Sequence, residues 1–391
     1  MSALSRRRFV TTAALASAAP ALPAWAAQLP AGPVPDPVFG DDIVRLDYNE
    51  SPYGPSPLAV KALEQGGRQS GRYYYEQQVR LIELFARQNG IPEDHVAVFC
   101  GSRPPLQYAL AQYAGPRSVV TAAPTYDSVA AGTQYAGPRS VVTAAPTYDS
   151  VAAGASSVGA AVHEVPLDAR HAHDARAMLA ADRNAGVIYL CNPNNPTGTL
   201  TPRADIEQVV THKPAGCLAI IDEAYIHFSD APPCLDLAVQ HDDVMVLRTF
   251  SKLYGMAGAR LGLAIARPAV LTALQRFNGR NFISLAASLG GIASLEQADL
   301  VSERKRTNQQ ILHSTTEHLR AAGYRCTDAQ ANCFMVQLGR PAQPVIEALA
   351  RRKVRVGRVF QAWPDWMRVT VGTPQQMQAF LAAFEQVMTA A

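Results

Sequence analysis

From about residue 77 onward the apolar and polar positions switch between two periods. Residues 77–88 carry apolar side chains at helical spacing, and 96–100 is a short apolar run. Segments 186–191, 217–221 and 244–247 are apolar almost throughout, as expected of strands covered on both faces. Helical spacing lies between them, over 202–211 for example. This β-α-β-α order predicts an α/β fold: a mostly parallel, seven-stranded-type sheet sandwiched by helices. After about 268 the pattern changes to long amphipathic helices (292–322), then short strands near 333–338 and 366–371. The expected division is a large domain over 67–267 and a smaller α+β domain over 268–391, to which 28–66 contributes. Residues 28–44 are proline-rich and read as extended.

One feature breaks the pattern. Residues 112–133 and 134–155 form a 22-residue tandem unit, identical but for its last position. Repeat architectures need three or more stacked units. Two copies inside an α/β pattern therefore read as a recent duplication or a sequence-assembly error. The unit holds one strand (118–122, again 140–144) and one Pro-Thr-Tyr turn. A sheet has one slot for it. The second copy suits that slot, because its trailing helix runs unbroken over 149–159 whereas the first copy's helix would meet Pro138. The extra residues would then lie between a helix ending near Tyr113 and the strand at Ser140, at the sheet edge away from the strand C-termini.

Composition narrows the function classes. Of 391 residues, 48% are hydrophobic and 17% charged, enough for a large core. The net charge of +3 equals the contribution of Arg6, Arg7 and Arg8, and the first 26 residues hold no acid. Without that segment the chain is neutral, so neither a nucleic-acid partner nor a membrane surface is expected. Residues 1–27 read as an export signal: the arginines, an Ala-rich apolar stretch, and Ala24-Trp25-Ala26 as a cleavage site. The paired arginines resemble a twin-arginine (Tat) signal, which implies a periplasmic protein, or a cytoplasmic one if the signal is not used. A disordered basic tail is the plain alternative. No later apolar run reaches the ~18 residues of a spanning helix. The six cysteines include no C-x-x-C pair, so buried free thiols are expected rather than a metal site or disulfides.

Four segments carry chemistry, each just after an apolar run. Thr249-Phe250-Ser251-Lys252 offers a lysine that can form an imine with an aldehyde cofactor, and hydroxyls that can hold a phosphate. Arg260 offers a guanidinium fork for the same phosphate. Asp222, in Asp222-Glu223-Ala224-Tyr225, closes a buried strand and needs a cation such as a protonated pyridine nitrogen. Tyr225 can then reach a ring hydroxyl. Asn192-Pro193-Asn194-Asn195-Pro196-Thr197-Gly198 is a rigid turn that can aim Asn195 at the same oxygen. Gly101-Ser102-Arg103-Pro104 presents backbone N–H groups at a helix start, an anion site. Taken singly these also read as a surface lysine, a helix N-cap, an ordinary turn and a plain strand-to-helix turn.

Taken together, in this order, they resemble the fold-type I pyridoxal-phosphate (PLP) enzymes. The likeness is to class I/II aminotransferases, most closely the histidinol-phosphate aminotransferase branch, over essentially the whole chain after the signal. The resemblance implies roles residue by residue. Lys252 matches the Schiff-base lysine that also moves the α-proton. Asp222 matches the pyridinium partner, and Asn195 and Tyr225 the contacts to the ring hydroxyl. Thr249, Ser251, Arg260, Gly101, Ser102 and Arg103 match the phosphate cup. The Pro-Thr-Tyr tyrosine, Tyr148 by the placement above and otherwise Tyr126, matches the ring that stacks on the cofactor. Tyr73 resembles the tyrosine that reaches the neighbouring subunit's phosphate, implying a homodimer with shared sites. Arg368 and Arg358 match substrate-facing arginines, and Asn49 and Tyr53 belong to an N-E-x-P-Y-G-like segment lining the substrate pocket.

Three positions depart from the family pattern. Tyr74 replaces a proline, Arg103 stands where a small or acidic residue is usual, and the duplication has no counterpart. The reading that results is ping-pong transamination between an amino donor, histidinol phosphate-like or an acidic or aromatic amino acid, and a 2-oxo acid. The rivals are a PLP decarboxylase or lyase of the same fold, and a relic disabled by the duplication. The export signal argues against a step in cytoplasmic histidine synthesis.

Overall fold

The computed structural model describes residues 42–115, 138–277 and 282–390. The signal segment 1–27, most of the proline-rich stretch, the first copy's strand at 118–122 and Tyr126 lie outside the described residues. Within them the strands in chain order are β1 Val44–Leu46, β2 Val96–Phe99, β3 Ser140–Ala145, β4 Val162–Pro166, β5 Ala185–Cys191, β6 Leu218–Asp222, β7 Val244–Thr249, β8 Gly262–Ala266, β9 Cys333–Gln337, β10 Val354–Val356 and β11 Trp366–Thr370.

Seven of them form one sheet in the order β2-β8-β7-β6-β5-β3-β4. Its pairs are parallel except the two made by β8, which runs antiparallel to β2 and β7. Every residue of β5, β6 and β7 is buried, which requires cover on both faces and explains their unbroken apolar runs. The parallel strands direct their C-terminal ends to one edge of the sheet. The turns after β2, β3, β5, β6 and β7 are the ones carrying the candidate residues.

Strand β3 belongs to the second repeat copy and pairs with β4 and β5. Its trailing helix is Ser150–Ser157. The helix Arg103–Tyr113 and Ser140 bracket the extra residues as expected. Gly115 and Arg139 exchange backbone hydrogen bonds of 2.9 and 3.1 Å, so the two ends of that insertion are joined. The Arg139 side chain, 5% exposed, donates to the carbonyls of Ala185, Ala215 and Gly216 and so ties the start of β3 to the neighbouring loops.

The smaller unit pairs β1 with β10 in parallel and β9 with β11 antiparallel. Its core includes Leu46, Phe334, Phe380 and Phe384. Residues 44–46 therefore contribute to it, whereas helix Pro57–Arg68, expected with them, packs Leu63 against the core of the large sheet. The boundary near 268 is not where the packing changes. Ile283, Ala287, Ile292 and Leu300 join the core of the large sheet, and the second core resumes at Ile311. Helix Leu285–Glu296 is rich in small residues and lies against helix Pro57–Arg68 so closely that a Cβ on Gly66 would stand 2.5 Å from Ala286 Cα. The stretch 292–322 is two helices, the second being Leu300–Ala321, which bridges both cores.

Strand β8 has no counterpart in the sequence pattern, since its Gly-Leu-Ala-Ile-Ala is short and small. It presses on the turn after β2: a Cβ on Gly262 would lie 2.4 Å from Gly101 C and 2.5 Å from Ser102 N. Backbone atoms cannot swing aside as a flexible side chain does. The Gly262→Ala variant is expected to lose about 1–3 kcal/mol of stability, measured by chemical denaturation; parent-like unfolding would show that the turn yields freely.

Candidate active site

A cavity of about 960 Å³ opens at the C-terminal edge of the parallel strands. Ser102, Arg103, Tyr148, Asn195, Asp222, Tyr225, Thr249, Ser251, Lys252 and Arg260 line it from the large sheet, and Asn49, Arg358 and Arg368 from the smaller unit. The turns that follow five different strands thus meet in one place.

Asp222 ends β6 and is 4% exposed. The Tyr189 hydroxyl donates to its Oδ2 at 2.8 Å and the Ala224 N–H to its Oδ1 at 3.1 Å. Both donors are neutral. Burial, the dominant cause, pushes the carboxyl up to about 6 despite these bonds. Lys252 lies on the turn after β7. Its Nζ donates to the Tyr48 carbonyl at 3.0 Å and stands 5.7 Å from the centre of the Tyr225 ring. Burial first, and then the charge of Arg368, lower the amine to about 8. A lysine so shifted is neutral far more often near neutral pH than an ordinary one, and nucleophilic attack on a carbonyl requires the neutral form.

A cationic, hydroxyl-rich corner lies at one side. Thr249 Oγ1 donates to Ser251 Oγ at 3.0 Å, and the Ser251 N–H to Thr249 Oγ1 at 3.1 Å. Arg260 donates to the Ala257 carbonyl at 2.9 Å and to Ser251 Oγ at 3.4 Å. Its guanidinium crosses Gly101, where a Cβ would meet Arg260 Nη2 at 2.3 Å. Gly101 also has φ +88°, a conformation that side chains other than glycine's rarely adopt. So Gly101 does not line the cavity but lets the arginine in. Helix Arg103–Tyr113 starts here, and its N-terminus adds to the positive field.

The opposite side holds Arg368, 9% exposed. It donates to Asn195 Oδ1 at 2.8 Å and to the Asp47 carbonyl, both neutral, while its Nε has no hydrogen-bond partner. Asn49, held at φ 54°, donates to the Tyr225 hydroxyl at 3.1 Å and toward Asn195 Oδ1 at 3.4 Å. Arg358 pairs with Asp149 across the cavity mouth at 2.7 Å and lies over the Phe360 ring at 4.2 Å.

Two expected residues lie elsewhere. Tyr53 is not in this cavity. The chain reverses at Ser51–Gly54, where the Gly54 N–H donates to the Ser51 carbonyl at 3.3 Å, and carries Tyr53 into a separate small cleft beside Arg304. Tyr73 is 82% exposed and packs on Phe282 at 5.5 Å, outside the cavity of its own chain. Sequence reasoning missed Tyr189, although a tyrosine inside a buried apolar strand must find a partner for its hydroxyl. It also missed Asn194, which accepts from the Thr147 hydroxyl at 2.7 Å and donates to the Pro146 carbonyl at 3.1 Å, joining the turns after β3 and β5.

PLP suits these groups. A buried carboxylate without a cation can take the pyridinium nitrogen, and a lowered lysine can take the aldehyde. The Thr249–Ser251–Arg260 corner, opening at a helix N-terminus, can take the phosphate. The sheet, the cavity at its strand ends and this donor set define a PLP enzyme of fold type I. Residues 41–384 match the model of the family described as Aminotransferase class I and II. A histidinol-phosphate aminotransferase of Symbiobacterium thermophilum is 34% identical, over 89% of this chain and 91% of that protein. An aromatic amino acid aminotransferase of Rhodococcus jostii is 33% identical, over 87% and 88%. Among solved structures, a Sinorhizobium meliloti histidinol-phosphate aminotransferase in complex with pyridoxal-5'-phosphate superposes with a TM-score of 0.78 at 23% identity, covering 90% and 92% of the two chains. The chain belongs to the class I and II aminotransferases and is a PLP-dependent transaminase.

The raised carboxyl of Asp222 has a consequence for the cofactor-free protein. Its folded pKa of about 6 lies above the ordinary carboxylate value, so the folded state binds more protons than the unfolded state between roughly pH 4 and 6. The contribution of this group to stability is fully present below that window and is lost as pH rises through it. Asp222→Asn is expected to stabilise the cofactor-free protein at pH 7 by about 1–3 kcal/mol, with no gain at pH 4, while cofactor retention drops. Equal unfolding midpoints for parent and variant at pH 7 would contradict the burial argument.

Proposed function

We propose that the amino donor combines an anionic group with a flat ring, as in histidinol phosphate or an aromatic amino acid, and that a 2-oxo acid is the acceptor. The observation that carries this is Arg368: nearly buried, its hydrogen bonds going to neutral oxygens, its charge facing the cavity. A buried guanidinium in such surroundings favours an incoming anion. Phe360 lines the same cavity beside Arg358 and Arg368 and supplies flat apolar surface for a ring.

PLP, when bound, supplies an aldehyde that captures the amine and a protonated ring that delocalises the electrons left when the α-proton departs. The chain's residues do the rest. Asp222 keeps the proton on the ring nitrogen. Asn195 and Tyr225 hold the ring hydroxyl, and Tyr148 stacks on the ring face. Thr249, Ser251, Arg260 and the amides of Ser102 and Arg103 hold the phosphate. Arg368 fixes the donor so that its Cα–H faces Lys252, with Arg358 as the second anion contact once it leaves Asp149. Lys252 Nζ takes the α-proton and returns it on the cofactor's side.

Two features of the assembly belong to the same reading. The exposed Tyr73, Tyr75 and Phe282 form an aromatic patch beside the helix Tyr75–Asn89, suited to a second copy whose site Tyr73 would complete. The segment 1–27 acts as a twin-arginine signal, placing the mature enzyme in the periplasm. Such a location favours a donor met outside cytoplasmic histidine synthesis. Sedimentation of the mature protein should give a dimer mass, and replacing Arg6 and Arg7 by lysine should hold the chain in the cytoplasm. A monomer, or unaltered export, would remove the respective point.

The central test is spectroscopic. Purified protein with added PLP should show a visible band that Lys252→Ala lacks. Histidinol phosphate or L-phenylalanine should bleach it, with one keto product formed per site. Arg368→Ala should raise the donor's KM by about 10- to 100-fold, as loss of one charge-assisted contact of ~1.5–3 kcal/mol implies. Release of carbon dioxide from L-phenylalanine, or no keto product from either donor, would overturn their transamination. A normal band in Lys252→Ala would overturn the lysine assignment.

A further inference from the structure

Behind the strand ends that carry Asp222 and Lys252 lies a second charged set that the chemistry above does not use. Glu223 is fully buried and Arg248 is 5% exposed. Arg248 Nε stands 2.9 Å from Glu223 Oε2, a contact of charges rather than an aligned hydrogen bond. Glu223 Oε1 accepts from the Cys234 N–H at 2.7 Å. Arg248 Nη1 lies 3.0 Å from His227 Nε2. Burial first, and then the arginine's charge, hold that imidazole well below its ordinary range, so it is neutral and accepts. His227 packs edge-on against Tyr254 at 5.1 Å, and Tyr254 stacks on Phe250 at 4.7 Å.

Their places in the chain are informative. Glu223 follows Asp222, Arg248 precedes Thr249, His227 is two residues after Tyr225, and Tyr254 is two after Lys252. Side chains alternate between the faces of a strand. At the ends of β6 and β7 each cavity residue therefore has a neighbour pointing to the rear. The two strands pair Asp222 with Leu247, and the next step is the Glu223 N–H donating to the Leu247 carbonyl at 3.0 Å. The ion pair crosses between the strands at that point.

We infer that Glu223, Arg248 and His227 are positioning residues for the cofactor: they clamp the end of β6 to the end of β7 and so set the spacing of Asp222 from Lys252. Stability alone is a weak reason for such a group. A buried ion pair seldom stabilises more than well-packed apolar residues of the same volume. What the pair adds is direction, since a planar guanidinium held between a carboxylate and an imidazole leaves each strand end little freedom to slide. The inference rests on the cofactor roles proposed above.

The test uses the full protein loaded with PLP, in a Glu223→Gln variant and a double variant, Glu223→Leu with Arg248→Met. The first keeps an acceptor for the Cys234 N–H and removes the charge. The second replaces the pair by apolar volume. Three properties are measured: thermal unfolding without cofactor, the visible circular dichroism of bound PLP, and kcat and KM separately with histidinol phosphate. The double variant should unfold near the parent temperature, because the Cys234 N–H left without its acceptor offsets what the apolar pair gains, yet lose much of the dichroic band and about 10- to 100-fold in kcat with KM little changed, as a misplacement near 1 Å implies. Glu223→Gln should fall between in band and kcat, and should unfold below both because Arg248 is left without its carboxylate. If the double variant does not fold, Glu223→Gln decides alone: a weakened band with lowered kcat supports the clamp. A parent-like band and kcat in the folded variants overturn it. A parent protein with no dichroic band would instead overturn the cofactor roles, and this inference with them.

Discussion

A carboxylate at the end of a fully buried strand is the constraint around which this molecule is arranged. Asp222 has left water, and its donors are a tyrosine hydroxyl and one backbone N–H. Hydrogen bonds offset part of the cost of desolvating a charge, but a cation offsets far more. Burial holds the Asp222 carboxyl above the ordinary carboxylate range in consequence. A ring nitrogen that binds a proton there relieves the same strain from the other side, since the proton is then shared by a pair. In the proposed placement of the cofactor, its binding and the relief of a buried charge are one event, which would couple holoenzyme formation to stability.

That arrangement needs several strands at once. Lys252, Asp222 and Asn195 come from three adjacent parallel strands, and only a parallel sheet directs those ends to one edge. The antiparallel β8 performs a different task. It brings the chain back from Arg260 alongside β2, so that the guanidinium crosses Gly101 and reaches Ser251. The cationic, hydroxyl-rich corner is thus built from segments about 150 residues apart in the chain, joined by one strand whose own sequence is unremarkable.

The same facts explain what was legible beforehand. Lys252, Asp222 and Asn195 stand immediately after apolar runs and beside turn residues, so their place at the strand ends follows from pattern alone. The choice of repeat copy was legible too, because Pro138 cannot extend the first copy's helix. Tyr189 was hidden because it sits within the run that identifies β5, where every residue looks like core. Tyr53 was misplaced because a single reversal at Ser51–Gly54 decides which cleft receives it, and no periodicity reports a turn's direction. The domain boundary failed for a related reason. Leu285–Glu296 has helical length but small residues, and which core claims such a helix depends on close backbone approach, which spacing does not encode.

The duplication is compatible with an intact site for a geometric reason. Gly115 and Arg139 are hydrogen-bonded to each other at the N-terminal end of β3, whereas the cavity opens beyond its C-terminal end. Arg139 anchors that junction to the carbonyls of Ala185 at the start of β5 and of Ala215 and Gly216 before β6. Lengthening a chain segment between two already joined ends is inexpensive, about 0.6 kcal/mol for each doubling of length. A 22-residue unit inserted at the opposite end of β3 would have displaced Tyr148 and Asp149 from the cavity. Placed at this end, it leaves the register of β3 against β4 and β5 to be set by pairing within the sheet, and the turn that carries Tyr148 keeps its position whatever precedes the strand.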